Sequence, residues 1–88
     1  MLEERIDELI HQAGWHIKID NYITTQYVKQ INRRNGVYRY FVTFNHASLE
    51  TKMIKVIKGK TYRRSFNLSE KEAKLFEAKR EYLILNQR

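Results

Sequence analysis

The chain has 88 residues, enough for one modest domain with a thin core and too few for a deep catalytic cleft between two lobes. Without cysteine it has neither a disulfide framework nor a thiolate metal site, and no apolar run approaches the roughly 20 residues that span a bilayer. The formal net charge of +7 favours phosphate-rich polymers and anionic surfaces as partners.

That charge is unevenly placed. Residues 1–14 carry one Lys or Arg against four Asp and Glu, residues 15–68 carry eleven against two, and residues 69–88 carry five against four. A basic middle framed by acidic or near-neutral ends has the layout of a binding face on a scaffold. The acidic residues of MLEERIDELI stand where a secretory signal would be positive, so a soluble protein of a reducing, cytoplasmic compartment is expected, with no membrane partner.

Leu2, Ile6, Leu9, Ile10 and Ala13 repeat at helical spacing, and Gly14 is placed as a left-handed stop. Leu9 is expected to be buried in this first helix, and Trp15 to fold back onto its last turn. Trp15–Ile19 reads as a short strand and Asp20-Asn21 as a turn. Tyr22–Ile31 is rich in β-branched and aromatic residues and reads as a strand, although the spacing 23, 27, 28, 31 also fits a helix. Asn35-Gly36 between YVKQINRR and VYRYFVTF is a two-residue hairpin turn, and a second hairpin joins MIKVIK to KTYRRSF around Gly59. Ser69 and Glu72 form a capping box that opens a helix over 69–85, with Leu75, Ala78, Tyr82 and Leu85 as its apolar stripe, broadened by Phe76 and Leu83. The fold expected is a single α+β domain over 1–88: an N-terminal helix, a small antiparallel sheet of three to five strands, and a C-terminal helix packed on one face.

His11, His16 and His46 are dispersed in sequence and lack the spacing of a metal site, and no phosphate-binding loop, serine elbow or HExxH motif occurs. Neither catalysis nor a cofactor is expected. What remains is basic residues interleaved with aromatics on strands. In Val37–Phe44 the alternation puts Tyr38, Tyr40, Val42 and Phe44 on one face, the better core, and sends Arg39 outward. Thr61, Arg63 and Ser65 alternate with Tyr62, Arg64 and Phe66 in the same way. The candidate nucleic-acid contacts are Lys29, Arg33, Arg34, Arg39, Lys55, Lys58, Lys60, Arg63 and Arg64, expected to cluster on one surface away from the acidic first helix. An ordinary solvated sheet face is the competing reading of the same cations.

From Tyr27 to Tyr82, the order RRNG, then YR and Val42, then RRSF, then Ser69 and Glu72-Ala73 resembles the arm-site DNA-binding domain of phage and transposon integrases. That resemblance implies a three-stranded sheet packed on one helix, with the sheet face in the DNA groove and Arg34, Arg39 and Arg63 among its contacts. The chain differs in its acidic leading helix and its extra basic segment from Asn45 to Lys60. The order helix, strands, helix is also similar to a double-stranded-RNA-binding domain, with SEKEAKLFEAK like the start of its last helix. DNA, with RNA as the alternative, is the partner expected, in an accessory or regulatory role for a phage or other mobile element. The rival reading is a small phage-type inhibitor that grips a host or competitor protein by its charged sheet or a strand edge.

Overall fold

Apolar spacing switches from helical to alternating at Gly14 and back again after Ser69, and the backbone changes with it. The computed structural model describes residues 2–62 and 66–86. Its elements are α1 (Leu2–Gln12), β1 (His16–Asp20), β2 (Thr24–Arg33), β3 (Gly36–Asn45), β4 (Thr51–Ile57), β5 (Lys60–Tyr62) and α2 (Glu70–Leu85). The strands form one antiparallel sheet in chain order, β1-β2-β3-β4-β5, so each strand pairs with its sequence neighbour and no crossover is needed. The expected α+β architecture is the one observed.

Gly14, at φ +101, ends α1. Its N–H donates to His11 O at 2.9 Å and the Trp15 N–H donates to Ile10 O at 3.3 Å, the bond pair of a Schellman stop. This turn brings Trp15 back to Ile10, and the two side chains are only 2% and 1% exposed. The helix is thereby rolled toward Ile10, and Leu9, expected to be buried, is only half-buried.

The turns refine the expected strand limits. Asn21 Oδ1 accepts the N–H groups of Ile23 and Thr24 at 2.9 and 2.8 Å, which keeps Tyr22 and Ile23 in the turn, solvent-exposed, and starts β2 at Thr24. Residues 22–32 are otherwise strand, not helix, apart from these first two. Arg33 pairs with Gly36, so the first hairpin turns at Arg34-Asn35, one residue earlier than expected. Gly36 spends its positive φ of 139° as the first residue of β3, where Lys58 crosses it: a Cβ there would sit 2.9 Å from Lys58 Cγ. The second hairpin turns at Lys58-Gly59 as anticipated, both residues having positive φ, the backbone twist that suits a two-residue hairpin loop.

Alternation along β3 buries Val42 and Phe44 and packs Tyr40 against them, while Arg39 faces solvent. The inward residues meet Tyr27 of β2, Ile10 of α1, Trp15, and Phe76 and Leu83 of α2 in one core. Both helices therefore lie on the same side of the sheet, and among the described residues no element covers the other side.

The capping box forms as expected: the Glu72 N–H donates to Ser69 Oγ at 3.1 Å, and the Ser69 N–H donates to Glu72 Oε1 at 3.2 Å. The stripe of α2 is rotated from the expected one. Phe76, Lys79 and Leu83 are its buried residues, and Leu85 is 83% exposed. Lys79 lies on this stripe with Phe76 and Leu83, and its buried ammonium lies 3.0 Å from Asp7 and 3.4 Å from Glu3 of α1. The Tyr27 hydroxyl donates to the same Asp7. Burial, followed by that hydrogen bond, pushes the Tyr27 phenol well above its ordinary range, so it remains a neutral donor. One polar cluster thus pins α1, α2 and β2 together.

Candidate functional site

Strand register decides which cations can act together. Residues paired directly across strands share a face. Lys29 pairs with Tyr40 and Tyr40 with Lys55, and Ile57 pairs with both Tyr38 and Lys60. Lys29, Arg33, Lys55 and Lys60 therefore take the phase of the helix-covered side. Arg39 pairs with Gln30 and Val56 and takes the open side, which Thr61 also shares through Val56. Arg34 and Lys58 occupy the turns. The expectation that residues 29–64 put their cations on one surface is corrected: they divide between both faces, because strand parity separates Arg39 from Arg33 and Lys55. Arg63 and Arg64 lie outside the described residues.

The divided cations nevertheless meet at one end of the sheet. The turns at Arg34-Asn35 and Lys58-Gly59 are side by side, with the Lys58 N–H donating to Val37 O at 3.4 Å and the Lys58 side chain lying against Gly36. Arg33, Arg34, Lys58 and Lys60 are all exposed there. Arg33 stacks on the Tyr38 ring at 5.3 Å, and Asn35 Nδ2 donates to the Tyr38 hydroxyl at 2.9 Å, which organises the first turn. Neither hairpin holds an Asp or Glu, since none occurs between Asp20 and Glu50 or between Glu50 and Glu70. Three of the four acidic residues of α1 are engaged elsewhere: Glu3 and Asp7 by Lys79, and Glu8 by Arg5 at 3.5 Å. Past Lys79, Arg80 donates to Leu49 O at 3.4 Å in the β3–β4 loop, at the end of the sheet opposite the two basic turns.

Behind the turn end, on the helix side, an open groove of about 460 Å³ runs between the sheet and residues 66–72. Lys29, Arg33, Tyr40 and Lys55 contribute from the strands, and Trp15, Phe66 and Glu72 from the opposite wall. Phe66 meets Tyr40 edge-on at 4.9 Å. Among the described residues Glu72 is the sole carboxylate lining the groove, and it accepts from Trp15 Nε1 at 2.6 Å, Lys29 Nζ at 3.0 Å and the Ser69 N–H. Partial burial opposes its ionisation, but the hydrogen bonds from Trp15, Lys29 and Ser69 outweigh it and lower its carboxyl to about 2.

The open face has a different character. Lys18, Arg39 and Lys52 are its cations, and Val28, Phe41 and Ile54 form a half-buried apolar row with Lys18 5.3 Å above the Phe41 ring. Arg39 Nε donates to Gln30 Oε1 at 3.0 Å. Asp20, the one carboxylate on any described strand, is paired with Thr25 on the helix side. Two histidines separated by five positions in sequence are neighbours in space: the rings of His11 and His16 meet edge to face at 4.9 Å. His46 Nε2 lies 2.7 Å from Thr25 Oγ1 at the far end. Among the described residues, no helix is long and apolar enough to cross a membrane.

No family model, no curated protein and no solved structure matches this chain.

Proposed function

We propose that the chain binds nucleic acid, duplex DNA first, as an accessory or regulatory factor, with the turn end of its sheet on the phosphate backbone. The observation that carries this reading is the juxtaposition of Arg33, Arg34, Lys58 and Lys60 on two neighbouring turns whose hairpins contain no carboxylate. Such a cluster attracts phosphates and releases their counterions on contact. The five-stranded sheet also argues for an end-on approach. Strands about 4.8 Å apart put β1 and β5 roughly 19 Å from each other, wider than the major groove of about 12 Å. A three-stranded sheet of the arm-site kind can lie in the groove by its face, whereas this sheet reaches DNA more readily with its turns. Arg39, three residues into β3, is held by Gln30 through Nε alone, which leaves its terminal nitrogens to serve a base edge.

A salt titration against random-sequence duplex DNA tests the reading. Four phosphate contacts give a slope of log affinity against log salt of about −4, and the double substitution Arg34→Gln with Lys58→Gln reduces it by about 2. Absence of binding at low salt, or an unchanged slope in the double variant, overturns it. The apolar row Val28, Phe41 and Ile54, with Val37 exposed beside it, favours a second reading: a protein antagonist that docks its open face on a host or competitor protein. That reading takes over if DNA binding is absent.

A further inference from the structure

Of the turn cations Arg33 also lines the groove behind them, and that lining has a chemistry of its own. Among the described residues its walls combine three cations with one carboxylate, so an anion is favoured, and the carboxylate already accepts from Trp15, Lys29 and Ser69. Tyr40 and Phe66 give it an aromatic surface, with the Tyr40 ring flanked on its strand row by Lys29 and Lys55. An aromatic wall beside a surplus of positive charge suits a ligand that joins a flat ring to a phosphate. At about 460 Å³ the groove is within the size range of small-molecule pockets, roughly 300–1,000 Å³.

We infer that this groove is a pocket for one nucleotide, with the phosphate on Arg33 and Lys55 and the base against Tyr40 and Phe66. The inference deepens the nucleic-acid reading and rests on it for the source of the nucleotide. Arg33 belongs both to the groove and to the turn end, so a strand whose phosphates follow Arg34 and Lys58 reaches the groove through Arg33. A base can enter only when it is unstacked, as in single strands, where aromatic side chains replace neighbouring bases as stacking partners. The pocket therefore selects a single-stranded or frayed nucleotide over a paired one.

Trp15 is the only tryptophan and lines the groove, so its fluorescence reports occupancy. The probes are deoxyadenosine monophosphate, inorganic phosphate, an eight-nucleotide single strand and a duplex of the same length. The mononucleotide should change Trp15 emission saturably and bind at least about fivefold tighter than inorganic phosphate, the difference being the stacked base. Lys55→Gln should weaken the mononucleotide about tenfold, with Arg33→Gln as an independent second variant, while Arg34→Gln leaves it unchanged. The single strand should displace the mononucleotide more effectively than the duplex. Equal binding of inorganic phosphate, an unresponsive Trp15, or a folded Lys55→Gln and Arg33→Gln pair with parental affinity each overturns the pocket. If the mononucleotide saturates as expected but neither oligonucleotide binds at low salt, the pocket stands and the nucleic-acid reading falls.

Discussion

Lys58 occupies a left-handed backbone conformation, φ 51°, that a lysine adopts at a cost. Asparagine tolerates this region better, so Lys58→Asn should raise stability by about 0.5–1 kcal/mol in denaturant unfolding. The same substitution should reduce the DNA salt slope by about 0.9. A variant that is both more stable and a weaker binder identifies Lys58 as a residue held there for contact; unchanged binding assigns it to the turn alone. Glu72 is a second informative residue. Its carboxyl titrates near 2 in the folded chain against an ordinary value of 4.5, so as pH falls the unfolded chain takes up the proton first. Its contribution is complete above about pH 5, and is lost progressively down to pH 2. Glu72→Gln should flatten the acid limb of an unfolding curve over that window and cost about 1–3 kcal/mol at neutral pH. An acid limb identical to the parent's would remove Glu72 from this role. The capping half of its job was legible, because Ser69 and Glu72 are three residues apart. Its bonds to Trp15 and Lys29 span 57 and 43 residues and leave no local pattern to read.

Element types followed from sequence because helix and strand periods differ and the turn chemistry is local: Gly14, Asn21 and Gly59 each mark a real boundary. The rotation of each helix did not follow. In α1 the Schellman stop rolls the helix toward Ile10, so Ile10→Ala should cost about 2–5 kcal/mol and the half-buried Leu9→Ala less than about 2. Reversal of that order in thermal or denaturant unfolding would contradict the packing described. In α2 the expected apolar stripe passes over Lys79, which sits three residues after Phe76 and four before Leu83, on the buried side. Its position on that stripe was visible; its partners on α1, 72 residues away for Asp7, were not. Removing the ammonium leaves Asp7 and Glu3 without their shared cation, so Lys79→Ala should destabilise by about 3–5 kcal/mol, and a loss below 1 kcal/mol would show that the cluster is not holding α1 to α2.

At the scale of the whole molecule, composition revealed that the middle of the chain is basic but not where its charge would gather. Strand parity sends Arg39 to one face and Arg33 and Lys55 to the other, and only the side-by-side placement of two hairpin turns restores a common surface at their end. This geometry makes two modes of DNA binding distinguishable by number. End-on binding uses Arg33, Arg34, Lys58 and Lys60 and gives a salt slope of about −4, whereas binding by the open face adds or substitutes Lys18 and Lys52. Lys18 and Lys52 lie in β1 and β4, away from the turns, so Lys18→Gln with Lys52→Gln tests the face without touching the end. For the end-on mode the double variant keeps both affinity and slope. A slope reduced by about 2 would instead place the DNA across the open face, against the row of Val28, Phe41 and Ile54, and would require the five-stranded sheet to meet the duplex without entering its major groove.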